Sequence, residues 1–237
     1  MLPLVQKALD AHGGLKRWRD AKELHLDLEV SGAIWALKGQ PDLFSRCSAT
    51  LSTHEQKVVM HLADAQKHRA EYTPSKTTLH GSSGDVVQRD RPRDHFDGHF
   101  IATPWDRLDA IYFCSYALWT YFNSPFLFEH PGLTVRTIEP WKEGQETWDR
   151  LHLTYPDTVT THTKHAVAYI DKDGVVRRYD YAVDIMMGSA GANYAHDYAS
   201  YDGILLPRHR QVYGFDMSRN PQEPLLVDIK LIAASLS

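Results

Sequence analysis

HAVAYIDKDGVVRRYDYAVD, residues 165–184, reads as two strands folded back on each other. Asp171-Lys172-Asp173-Gly174 is turn chemistry: aspartate side chains bond the backbone that follows them, and glycine accepts a positive φ without steric cost. The flanks are rich in β-branched and aromatic residues, and Tyr179 and Tyr181 share one strand face. The same period of two recurs in both directions. Toward the C-terminus, Tyr194, His196 and Tyr198 fall on one face of the next strand. Asp202-Gly203 then turns into ILLPRHRQVYG, and Leu225, Val227, Ile229 and Leu231 alternate in the last run. Toward the N-terminus, Leu151, Leu153 and Tyr155 alternate with Arg150, His152 and Thr154, and Trp148 shares the face of Arg150 and His152. Leu24, Leu26, Leu28 and Val30 alternate with His25, Asp27 and Glu29. Further strand-like runs are AIWALK between Gly32 and Gly39, then 42–51, 56–62, 67–73 and 85–90, with a turn at Gly81-Ser82-Ser83-Gly84. This spacing predicts antiparallel hairpins rather than βαβ units.

Helical signals are few. Pro3 opens a short helix over 3–12 that Gly13-Gly14 ends, and a second turn over Leu15–Arg19 carries Trp18. The third is the apolar stretch AIYFCSYALWTYF, residues 110–122. Thr103 is a candidate cap, Pro104 suits the first helical position and Asp106 adds a box-like pattern, so the spacing predicts a helix over 104–122, stopped by Asn123-Ser124-Pro125. Trp105, Leu108, Tyr112, Tyr116 and Trp119 form one face, and Ile111, Cys114, Leu118 and Phe122 a neighbouring one. Together they exceed the usual apolar stripe, so the helix is expected to be surrounded. The stretch is too short to span a bilayer, which takes about 20 residues. These elements predict one α+β domain over residues 1–237.

Composition narrows the function classes. Hydrophobic residues make up 43% and charged residues 24%, an ordinary globular balance. The net charge is −4 and no basic stripe appears, which argues against nucleic acid as a partner. Cys47 and Cys114 form no disulfide framework, and MLPLVQKALDAHGG lacks the pattern of a secretory signal, so a cytoplasmic location is expected. GxSxG, GxGxxG, the P-loop and HExxH are all missing, so neither a cofactor nor a metal is expected. His95 and His99 fall in RDHFDGHF, which reads as a loop. His162 and His165 are three apart, which on a strand sends them to opposite faces.

Two hairpins, YIDKDGVVRRYDY and YDGILLPRHRQVY, resemble the "fD.dG.l.r.dY" and "dG..lP....vy" patterns of LolA/LolB/LppX-like proteins. The chain is also similar to a branch of uncharacterised bacterial proteins with "ETW.RL...fPD...TH" and "ALW.Y...PFL" patterns. Here these are Glu146-Thr147-Trp148-Asp149-Arg150-Leu151, Tyr155-Pro156-Asp157, Thr161-His162 and Ala117-Leu118-Trp119-Thr120-Tyr121. The resemblance implies a half-barrel: a single strongly curved antiparallel β-sheet with helices packed on its concave side. It also implies lipid or acyl-chain binding between sheet and helices. A violacein-pathway enzyme is similar in fold, so small-molecule chemistry is a second implication.

Three expectations follow. The first is a binding module that holds an acyl chain or aromatic metabolite in a gap between the sheet and the 104–122 helix. Its candidate lining is Tyr116, Trp119, Tyr121, Trp148, His152, His162, Tyr179, Tyr181, His196 and Tyr198. The second is a cofactor-independent enzyme of secondary metabolism in the same gap. It would use His152, His162 or His196 for proton transfer beside a tyrosine or arginine. The third is a partner-binding protein with a solid core and no gap.

Overall fold

The computed structural model describes residues 1–237. Two short helices, α1 (Pro3–Ala11) and α2 (Leu15–Asp20), lead into β1 (Glu23–Ser31) and a one-turn helix α3 (Ala33–Leu37). Five strands follow: β2 (Cys47–Ser52), β3 (Val58–Leu62), β4 (Arg69–Thr73), β5 (Lys76–His80) and β6 (Val86–Asp90). Helix α4 (Arg107–Asn123) separates these from β7 (Thr134–Glu143), β8 (Glu146–Thr154), β9 (His165–Ile170), β10 (Val176–Val183), β11 (Ser189–Tyr201), β12 (Ile204–Phe215) and β13 (Pro221–Leu236).

All thirteen strands form one antiparallel, curved, open sheet in the order β6-β5-β4-β3-β2-β1-β13-β12-β11-β10-β9-β8-β7. Each half is a meander, and the halves join where Leu24 pairs with Leu236 and Val30 with Ile229. The two outermost strands, β6 and β7, are consecutive in sequence. The segment between them must cross from one sheet edge to the other, and that segment carries α4. Register shifts at Asp27/Leu28, Ile138/Trp141, Val176/Arg178 and Val212/Gly214 supply bulges that bend strands and deepen the curvature.

The period of two sorts residues onto faces. Leu24, Leu26, Leu28, Leu51, Leu151, Leu153, Tyr179 and Tyr181 join the core under α4. Each Leu- or Phe-sized side chain buried there contributes about 1.5–3 kcal/mol. The other face carries a smaller cluster of Trp148, Tyr169, Ala192 and Tyr194, flanked by Trp141, Tyr213 and Phe215. It contains a buried ion pair: Arg178 Nε donates to Asp180 Oδ1 at 2.6 Å. Arg219 Nη1 and Tyr169 Oη donate to Asp180 Oδ2 at 2.9 and 2.6 Å.

Helix α4 is buried at every residue from Leu108 to Trp119, as an apolar helix inside a trough must be. It is 17 residues long, and no helix is long and apolar enough to cross a membrane. Its start differs from the expected one. Asp106, not Thr103, is the cap: it accepts from Asp109 N at 2.9 Å, and Asp109 returns the contact by accepting from Asp106 N at 3.2 Å. Trp105 N instead donates to Lys38 O at 2.9 Å, which holds the segment around Pro104 outside the helix.

Three other local expectations are corrected. AIWALK forms α3, not a strand: Ile34 and Trp35 are buried together, and Trp35 Nε1 donates to Ser31 O at 3.2 Å. Gly32 permits this turn, with φ 118° and Leu226 O only 2.4 Å from where a Cβ would stand. Residues 42–46 are turn, and β2 begins at Cys47. The hairpin of β4 with β5, whose strand KTTLH has only one large apolar residue, was not anticipated.

Candidate functional site

Helix α4 packs against β3, β4 and β5. Its other flank faces the inner side of β9–β12, and aromatic rings with hydroxyl tips fill that wider space. His162 enters it from the loop between β8 and β9. The loop is pinned on several sides: Gln56 exchanges two hydrogen bonds with the Thr160 backbone at 2.8 and 2.6 Å, Arg93 Nη1 donates to Thr161 O at 3.0 Å, and Asp184 N donates to His162 O at 2.9 Å.

The imidazole bridges two tyrosines of α4. Tyr116 Oη lies 3.0 Å from His162 Nδ1 and Tyr121 Oη lies 2.9 Å from Nε2. Tyr121 Oη is in turn hydrogen-bonded to Tyr181 Oη of β10, and Ser124 Oγ to Tyr179 Oη. The His162 ring stacks on Tyr181 with centroids 4.4 Å apart and planes 14° apart. Gly191 lets the Tyr181 ring lie flat across β11, because a Cβ there would meet Cε2 at 2.6 Å.

Burial pushes the His162 pKa down to about 3, and the charge of Arg93 adds to the effect. The ring is therefore neutral near pH 7, with one nitrogen donating and the other accepting. Of Tyr116 and Tyr121, one hydroxyl donates to the ring and the other accepts from it. Burial raises the pKa of Tyr116, Tyr121 and Tyr181. The result is a continuous neutral chain Tyr116–His162–Tyr121–Tyr181. It can orient a polar group or pass a proton in concert, but an imidazole this hard to protonate is a weak free base.

Two narrow clefts flank this chain, both bordered by Tyr121, His162 and Tyr181. One adds Thr120, Ser124, Tyr155 and Tyr179; the other is more apolar, with Ile34, Phe113, Val183, Met186, Val212 and Val227. Their empty volumes are about 370 and 390 Å³ when space open to solvent is counted. The enclosed part of each holds a water or two and not an acyl chain. The elongated gap expected from the sequence is thus nearly closed, because the rings of α4 and β10 occupy it.

The candidate residues divide by face. Tyr121, His162, Tyr179 and Tyr181 border the clefts, and Tyr116 joins them through His162. Trp119 points the other way and donates from Nε1 to Ser52 O at 2.8 Å. Tyr198 packs edge-on against His12, which caps the end of α1, 5.8 Å between centroids. Asp197, at φ 54°, puts a left-handed residue between His196 and Tyr198 while the register of β11 with β12 runs unshifted across it. Trp148, His152 and His196 lie on the outer face, away from the gap: Trp148 edge-on to Tyr169, His152 beside His165 and His196 stacked on Tyr194. Their parity was read correctly and assigned to the wrong side of the sheet. Ser124, Asn193 and Arg210 were missed. Arg210 had a signal: it shares the parity of Ile204, Leu206 and Val212, a cation on an apolar face.

No protein-family description and no curated protein matches the chain. Solved structures do. A LolA superfamily protein from Nitrosomonas europaea superposes with a TM-score of 0.54 at 7% identity, over 98% of this chain and 93% of that one. A putative outer membrane lipoprotein-sorting protein domain from Vibrio parahaemolyticus gives 0.49 at 10%, over 99% and 91%. A DUF1329 family protein from Desulfovibrio piger gives 0.48 at 11%, over 98% and 93%. At these identities the likeness is one of fold alone, a LolA-like half-barrel.

Proposed function

We propose that this protein binds an apolar or amphiphilic small molecule between α4 and the inner side of β9–β12. The observation that carries the reading is the pair of clefts meeting at the Tyr116–His162–Tyr121–Tyr181 chain: apolar walls with a few convergent polar tips, the usual construction of a small-molecule site. A half-barrel of LolA type suits this use, since its one long crossover helix can separate from the sheet without breaking a strand pair. The described clefts are then the closed form, and the ligand displaces aromatic rings as it enters. The whole chain acts as one unit in this reading. Mass spectrometry of gently purified protein, together with uptake of a fluorescent fatty-acid probe, tests it. A co-purified small molecule or saturable uptake is expected; neither appearing would refute the reading.

A second reading is a cofactor-independent enzyme of secondary metabolism. The hydrogen-bonded imidazole between two tyrosines favours it, because such a relay can move a proton between two points of a bound substrate. The test is turnover of a bound metabolite that His162→Gln abolishes while binding persists.

A further inference from the structure

Arg210 of β12 is 3% exposed, yet it has no acidic partner. Its Nη2 donates to the Tyr121 carbonyl of α4 at 2.9 Å, while Nε and Nη1 have no acceptor. Its guanidinium lies 5.4 Å from the Tyr121 ring centroid and 5.7 Å from that of Phe122. A guanidinium stays charged in a protein, and burying it unpaired is costly. Arg178 shows how the same chain treats a buried arginine elsewhere, with Asp180 at 2.6 Å and Glu143 at 3.4 Å. The ionisable groups that feel Arg210 most, Tyr121, Tyr179, Tyr198 and His12, are all neutral near pH 7. Asp171, which faces His12, is already engaged by Arg177 Nε at 2.6 Å and by the N–H groups of Asp173 and Val175 at 2.9 Å.

Asn193 repeats the anomaly one step away. It is fully buried, and its amide oxygen and nitrogen make no well-formed hydrogen bond, the side chain reaching only toward the Tyr121 hydroxyl. It stands directly opposite Val212 on β12 and Tyr179 on β10, so it is the diagonal neighbour of Arg210 on the inner face. The two residues therefore gather N–H donors without acceptors, around one uncompensated positive charge, behind the tyrosines that border both clefts. A water molecule would satisfy the hydrogen bonds and leave the charge. A single carboxylate answers the positive charge and the N–H donors together.

We propose that Arg210 and Asn193 anchor the carboxylate of a chain-bearing amphiphile whose apolar tail occupies the widened clefts beside Tyr121 and Tyr181. This rests on the binding reading above and assigns its ligand the class of a long-chain carboxylic acid. Isothermal titration of the full chain with palmitate and with methyl palmitate, each presented on cyclodextrin, separates the two ideas. Wild type should bind the acid at least about tenfold more tightly than the ester, the size expected of one charge-assisted contact. Arg210→Met should bind both alike, with the ester's affinity kept. Sodium acetate, a carboxylate without a tail, should neither bind measurably nor raise the melting temperature. Equal wild-type affinity for acid and ester would overturn the anchor while leaving the binding reading intact. Binding of neither would remove both. Acetate protecting the protein while palmitate does not would overturn the amphiphile. The wild-type comparison needs no variant, so the test stands even if Arg210→Met fails to fold.

Discussion

Replacing His162 by glutamine should remove much of the protein's sensitivity to mild acid. The ordinary histidine pKa of 6.5 applies in the unfolded chain, and burial lowers it to about 3 in the folded one. The unfolded state therefore takes up the proton first. Stability from the neutral ring is complete above pH 6.5 and is lost progressively as pH falls toward 3. The full difference corresponds to about 5 kcal/mol, of which about 3 kcal/mol is gone by pH 4.5. That is a large share of the 5–15 kcal/mol typical of a folded domain. Glutamine offers one acceptor and one donor to the hydroxyls of Tyr116 and Tyr121, so it keeps the bridge and cannot titrate. Urea unfolding followed by tryptophan fluorescence at pH 7.5 and pH 4.5 gives the free-energy loss for each protein. Wild type should lose about 3 kcal/mol more than His162→Gln. His12, also held down to about 4 by burial, titrates in both proteins and cancels in the comparison. Equal losses would refute the placement of a buried neutral imidazole between the two tyrosines.

Other outcomes follow from single contacts. Gly191→Ala places a Cβ 2.6 Å from Tyr181 Cε2 and should cost about 1–3 kcal/mol in urea unfolding by pushing that ring toward His162. Asp106→Ala removes the α4 cap and one of two carboxylates held by Arg89. It should lower stability by about 1–2 kcal/mol, with Asp106→Asn recovering part of that loss. Cys47, whose thiol is pushed up to about 12, and Cys114, pushed well above its ordinary value, should both resist a thiol reagent in the native protein and react in urea. Prompt labelling of either one under native conditions would contradict their burial.

The sheet was legible because hairpin turns and a period of two are local signals. Asp171-Lys172-Asp173-Gly174 announces its own geometry, and Leu24 to Val30 sort themselves by alternation. The enclosed helix was legible for the opposite reason: a run such as Ala110–Phe122 has no polar face to give to water. What stayed hidden was decided by tertiary neighbours. AIWALK is too short for periodicity to separate helix from strand, and its conformation is set by Gly32 fitting against Leu226. Alternation pairs Trp148 with His152 but cannot say which side of the sheet α4 covers. The left-handed backbone at Asp197, next to Tyr198, likewise leaves little trace in composition. The loop that delivers His162 is fixed by Gln56 and Arg93, both distant in sequence.

The seam between β1 and β13 carries a kinetic consequence. Either meander can zip up from neighbouring hairpins as soon as it is made, but the central pairing of Leu24 with Leu236 joins residues near opposite ends of the sequence. Closing so long a loop is slow. In the interval β1 and β13 each present a bare row of N–H and C=O groups, the kind of edge that recruits another chain. Self-association during refolding should therefore originate at the middle of the finished sheet rather than at its outer strands, and a peptide copying β13 should capture the half-assembled protein through β1.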